Sequence, residues 1–91
     1  MTPAEVDHMV SHVEGWEAND EHEAIFKGWK FKDFREAMVF VNKVAEIAES
    51  EGHHPDFLIK YNNVNLKLWT HAINGLSEND FIMAAKIDAV Q

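Results

Sequence analysis

Six histidines are the residues of this chain best suited to chemistry near neutral pH, where imidazole both gives and takes protons. They fall into two groups. His8, His12 and His22 stand in polar surroundings near the N-terminus. His8 and His12 are spaced i, i+4, so they share a helical face and suit a metal in spacing, while solvated surface histidines are the plainer reading. His53-His54-Pro55 is different because of where it falls, between the end of a long helical pattern and the start of a strand pattern. Glu49 lies one helical turn before it, and His71 follows after the next two strand patterns.

On spacing alone, three readings of His53, His54 and His71 stay open. They are metal ligands, since imidazole suits zinc and three ligands with an open position make a catalytic style of site. They are inert, hydrogen-bonded residues at a helix end and a strand end. Or they are general acids and bases, one protonating a leaving group while another removes a proton. The carboxylates of Glu49, Glu51, Asp56 and Asp80 are partners for imidazolium in the third reading.

The elements that must position these residues follow from periodicity and punctuation. Pro3 opens a helical segment to about Val13, carried by Val6, Met9, Val10 and Val13, with Gly15 just beyond. Gly15-Trp16-Glu17 reads as a short strand, residues 19–22 as a polar turn and residues 24–31 as a second strand. Ile25, Trp29 and Phe31 share a face there, which Lys27 interrupts. The strongest signal runs from Asp33 to Glu51. Phe34, Ala37, Met38, Val41, Ala45 and Ala48 form its stripe, Asp33 and Glu36 match a capping box, and Gly52 suits a left-handed stop.

The period then changes to two. Phe57, Ile59 and Tyr61 form one alternating set and Val64, Leu66 and Leu68 another, with Asn62-Asn63 as a two-residue turn between them. That turn pairs Tyr61 with Val64, Ile59 with Leu66 and Phe57 with Leu68, six apolar residues on one face. Extended outward, the register sets His54 opposite His71, with Cβ atoms roughly 4.5–5.5 Å apart. Trp69 then shares a sheet face with His71. Gly75, Ser77 and Asp80 start a closing helix containing Phe81, Ile82, Ala85 and Val90. The order α-β-β-α-β-β-α predicts an α+β fold, a four-stranded antiparallel sheet with three helices packed on one face.

Composition narrows the function classes. At 91 residues the chain is one domain, residues 1–91, and a core this small buries only roughly 60–65% of the unfolded surface. Sixteen Asp and Glu against eight Lys and Arg give a formal charge of −8, which argues against nucleic acid and anionic membrane surfaces as partners. No apolar run approaches the roughly 20 residues of a membrane span. The first residues show neither a basic region nor an apolar signal core. The absence of cysteine excludes disulfides and thiolate chemistry and is compatible with the cytoplasm. A hydrophobic fraction of 46%, with three Trp and six Phe, is large for this length and points to burial against another copy.

The spacing Glu49, three residues, His53-His54-Pro55, five residues, Tyr61, nine residues, His71, eight residues, Asp80 resembles the signature of the pterin-4a-carbinolamine dehydratase family. Gly15-Trp16, Phe31-Lys32-Asp33-Phe34, Tyr61-Asn62 and Gly75-Leu76-Ser77 extend the resemblance over essentially the whole chain. It implies a hydro-lyase that dehydrates 4a-hydroxytetrahydropterin to quinonoid dihydropterin and so recycles the pterin cofactor of aromatic amino acid hydroxylases. No metal or redox cofactor is implied. By correspondence, His53 and His71 are the acid–base pair, His54 positions and polarises the pterin, and Glu49 and Asp80 orient imidazoles or hold the loop.

Family members form dimers and tetramers. Some serve as dimerisation partners of an animal transcription factor, so a non-catalytic binding or assembly protein is the alternative. Two positions depart from animal members: Gly52 replaces an acid, and Trp69 a small residue. Trp69 reads either as a stacking partner for the pterin ring or as ordinary packing; Tyr61 and Pro55 read as structural.

Overall fold

The computed structural model describes residues 1–91. Its first helix, α1 (Pro3–Val10), begins with a reciprocal cap: Thr2 Oγ1 accepts the Glu5 N–H at 3.2 Å, and Glu5 accepts the Thr2 N–H at 2.8 Å. That backbone bond, then the hydroxyl, holds the Glu5 carboxyl below the usual carboxylate range. The helix stops three residues short of the predicted Val13. The N–H groups of His12 and Val13 turn tightly onto the Met9 and Val10 carbonyls, and Gly15 adopts a left-handed φ of +83°. Trp16 is therefore not a strand residue but a core side chain, 2% exposed.

Strand β1 is only Glu17–Ala18, and β2 spans Ile25–Lys30. Lys27, which broke the alternation of β2, still turns inward. Its ammonium reaches Asp88 at 2.9 Å and the Glu14 carbonyl at 2.8 Å, so the charge is paired where a core residue was expected. Helix α2 (Phe34–Glu51) starts with Asp33 accepting the Glu36 N–H at 2.9 Å and stops at Gly52, whose φ is +63°. It buries Ala37, Phe40, Val41, Val44 and Ala48. Phe34, the first helical residue, lies ahead of this stripe and is half exposed.

The hairpin of β3 (Asp56–Lys60) and β4 (Asn63–Leu68) corrects the predicted register by two residues. Ile59 pairs with Val64 and Phe57 with Leu66, and the turn is Tyr61-Asn62. Asn62 is held in the turn by Phe31: its carbonyl accepts the Phe31 N–H, and its amide donates to the Phe31 carbonyl, each at 2.8 Å. Tyr61 takes the left-handed position, φ +50°. Because the shift is even, no side chain changes face. Val64, Leu66 and Leu68 are buried, but Phe57 is exposed on β3, an edge strand in the order β1-β2-β4-β3, and Tyr61 is exposed in the turn.

A 3-10 turn (His71–Ile73) leads to α3 (Glu78–Asp88), which ends before Val90. Three helices and a four-stranded antiparallel sheet thus follow in the predicted α-β-β-α-β-β-α order. The core between helices and sheet centres on Ile25, Phe40, Val44, Leu66, Leu68, Phe81 and Ile87, with Trp16, Trp29, Phe40 and Phe31 in an edge-to-tilted aromatic row. No helix is long and apolar enough to cross a membrane.

Candidate active site

His53 is placed by the end of α2. The left-handed Gly52 turns the chain so that the His53 N–H closes back on the Ala48 carbonyl at 3.1 Å, and the buried Pro55 directs the chain into β3. The imidazole Nε2 meets Asp80 Oδ1 at 2.6 Å. Asp80 is fully buried, 0% exposed, in the first turn of α3. Its other oxygen accepts the Thr70 hydroxyl at 2.7 Å and the Ser77 N–H at 3.0 Å. With its proton given to Asp80, Thr70 Oγ1 accepts from the Ser77 hydroxyl at 2.8 Å.

Every group around Asp80 is a donor, and the carboxylate sits where the helix N-terminus favours negative charge. A carboxylate only accepts, so His53 donates through Nε2, and its Nδ1 remains the nitrogen available for other chemistry. No buried side-chain nitrogen or oxygen lacks a partner.

Thr70 carries the network to the second histidine. Its backbone bridges to Gly75, N–H to carbonyl at 2.8 Å, closing the loop that contains the 3-10 turn. His71 opens that turn and is exposed. The Trp69 ring stacks on its imidazole, with centroids 3.8 Å apart and planes inclined by 28°. The indole N–H donates to Asp56 at 3.3 Å. A depression of about 260 Å³ opens beside Trp69, lined also by Asn19, Glu23, Lys67 and Asn74.

His53, His71, Asp80 and Trp69 therefore belong to one connected region. His54 and Glu49 do not join it by any hydrogen bond. They pair with each other in solvent, imidazole to carboxylate, so Glu49 orients His54 and not His53. The predicted cross-strand pairing of His54 with His71 is absent, because the ladder ends at Asp56 and Lys67 and His71 has left the strand.

Thr70 and Ser77 were not singled out as site residues from the sequence. Ser77 and Asp80 carry a helix-start pattern, and in the folded chain that pattern also builds the network. His8 and His12 meet edge-on at 4.8 Å between ring centroids, and His22 bonds Asp7 at 3.1 Å. No three His, Asp or Glu side chains cluster closely enough to hold a metal ion.

A family model described as pterin 4 alpha carbinolamine dehydratase matches residues 1–90. An Arabidopsis thaliana protein, pterin-4-alpha-carbinolamine dehydratase 2, mitochondrial, is 45% identical over 94 residues; the match covers all of this chain, which spans 50% of that protein. A Halorhodospira halophila relative, provisionally named for the same activity, is 42% identical, covering 99% of this chain and 83% of the relative. Among solved structures, a transcriptional coactivator/pterin dehydratase from Brucella melitensis superposes with a TM-score of 0.93 at 39% identity, covering 99% of this chain and 96% of that one.

Proposed function

The chain belongs to the pterin-4-alpha-carbinolamine dehydratase family, and on that footing we propose that it is a hydro-lyase converting 4a-hydroxytetrahydropterin to quinonoid dihydropterin by histidine acid–base catalysis. The observation that carries this reading is the His53–Asp80 pair, joined by hydrogen bond to Thr70, the residue before His71. In the reaction the C4a–O bond breaks. The departing hydroxyl takes a proton and leaves as water, while the N5 lone pair forms the new double bond and N5 loses its proton.

His53 and His71 are the acid–base pair. Held by Asp80 through Nε2, His53 works through Nδ1, and the buried carboxylate stabilises its charged form after it takes a proton. His71 sits at the surface, where it exchanges protons with water. His54 contacts and polarises the pterin, with Glu49 orienting it. No cofactor is needed for a step in which only protons and one C–O bond change. A positioned acid or base is worth roughly 10²–10⁴ in rate.

The substrate arises from aromatic hydroxylation in this reading, and the protein acts in the cytoplasm, with which the cysteine-free sequence is compatible. It works as a homodimer or homotetramer. Edge strand β3 and the turn after it leave Phe57, Leu58 and Tyr61 exposed, which favours burial against another copy; light scattering on the purified chain tests this.

The activity is tested by following loss of carbinolamine absorbance. Folded wild type accelerates it, His53→Ala and His71→Ala each lower the rate roughly 10²–10⁴-fold, and the double variant approaches the uncatalysed rate. No acceleration by folded wild type overturns the reading and favours the non-catalytic alternative. A pterin dehydratase-like protein identified as a RuBisCO assembly factor shares the fold, superposing with a TM-score of 0.73 at 24% identity.

A further inference from the structure

Trp69 lies beside His71 just past the end of β4, and its bulk suggests a platform for a flat substrate. The geometry points to another role: we propose that Trp69 is a positioning residue that fixes the orientation of the His71 imidazole. This rests on the acid–base reading of His71.

Three observations carry it. One face of the indole is already covered, by the His71 ring at 3.8 Å and 28°, so that face is closed to a pterin while the stack persists. The indole is itself anchored, since its N–H donates to Asp56 at 3.3 Å. Asp56 directly follows His53-His54-Pro55, so the bond ties the strand before His71 to the loop that carries His53. Finally, His71 has no hydrogen bond from its own ring to any group of the chain, and the stack is what restrains it. An exposed imidazole without such a restraint samples several rotamers.

His71 is thereby held from both preceding residues. Thr70 is tied to Asp80, and Asp80 to His53; Trp69 is tied to Asp56. The two ties link the His71 loop to the His53 loop on separate carboxylates. Misplacing a reacting group by about 1 Å costs up to roughly a hundredfold in rate. Restraint of this kind therefore acts on the chemical step and not on substrate affinity.

The test pairs nuclear magnetic resonance with kinetics on the full chain. An indole stacked at this distance shifts the His71 ring protons upfield by its ring current. Trp69→Leu removes that shift, Trp69→Phe keeps part of it, and the other five histidines do not move. In the dehydration assay Trp69→Leu lowers kcat roughly ten- to a hundredfold with KM within about twofold, and Trp69→Phe restores most of kcat.

Two results overturn the proposal. Unchanged His71 resonances in Trp69→Leu show that no stack exists. A raised KM at unchanged kcat shows that Trp69 instead holds the substrate, from the side of the depression lined by Asn74 and Lys67. Inactive wild type with the ring-current pattern intact overturns the acid–base reading alone, because orientation of the imidazole is measured without turnover.

Discussion

His53 Nε2 and Asp80 Oδ1 lie 2.6 Å apart, although 27 residues and two strands separate them in sequence. The bond joins the end of α2 to the start of α3. Each partner is placed by a helix terminus: His53 by the left-handed stop of one helix, Asp80 by the first turn of the other. The carboxylate is fully buried, while His53 keeps 18% of its side chain exposed. Such a pair has one side fixed in the core and one side open to a ligand.

Asp80→Asn tests that relationship. The amide cannot accept from His53, Thr70 and the Ser77 N–H together, so one donor stays unsatisfied or His53 is forced into its other tautomer. Stability to urea falls by about 1–3 kcal/mol, and kcat falls roughly 10²–10⁴-fold under the proposed mechanism. Parallel urea melts and dehydration assays check both, and a variant that loses stability alone would reduce Asp80 to a structural residue.

The pair also shows how far the sequence reaches. Element order was readable because α2 and the hairpin carry clean periods of 3.6 and two. The register was not, because Asn62-Asn63 has better turn chemistry than Tyr61-Asn62, and the bonds that fix Asn62 come from Phe31, just past the end of β2. Since the error was two residues, the core face survived, but the juxtaposition of His54 and His71 did not. Their loops are brought together by Asp80, Thr70 and Ser77, contacts between side chains that no local pattern encodes. Lys27 is a similar case: its partner Asp88 is 61 residues away.

His54→Ala separates the two neighbouring histidines. His54 and Glu49 form a solvent-exposed pair, 61% and 78% exposed, and such pairs contribute about 0–1 kcal/mol. The melting temperature should stay within a degree or two of wild type. If His54 contacts the pterin, KM rises several-fold while kcat falls less than in His53→Ala. Equal loss of kcat in the two variants would give His54 a share of the proton transfer.

Gly52→Ala isolates the backbone. No atom lies within 4 Å of an added Cβ, so crowding costs nothing, and the φ of +63° supplies the whole penalty. A loss of about 1 kcal/mol is expected in urea unfolding, with Gly52→Asn losing less. Whatever happens to activity reports how far His53 follows the helix stop. Unchanged stability would mean that the turn relaxes to another conformation.

Lys27→Met examines the inward lysine. The Lys27 side chain is only 16% exposed, and its ammonium bridges Asp88 and the Glu14 carbonyl. Asp88 also accepts the Trp16 indole N–H at 3.2 Å. Removing the charge leaves Asp88 with Trp16 alone, and a loss of about 1–3 kcal/mol follows. The dehydration rate of the folded fraction should not change, because no hydrogen bond links Lys27 to the Asp80 network.

Tyr61→Asn runs in the opposite direction. Tyr61 occupies a left-handed position, φ +50°, that bulky side chains enter at a cost of roughly 1 kcal/mol and that Asn tolerates. The residue is 67% exposed, and its hydroxyl forms no hydrogen bond in the chain, so little packing is lost with it. The isolated chain should therefore gain about 0.5–1 kcal/mol in urea unfolding. Natural turns keep such strain where the side chain serves something the single chain does not display, and in the proposed homo-oligomer the exposed Tyr61 is available for contact with another copy. Light scattering beside the urea melt decides it: a more stable variant that associates less assigns Tyr61 to the interface. If stability rises with association and activity intact, the tyrosine is dispensable, and if stability falls, the left-handed geometry imposes no strain.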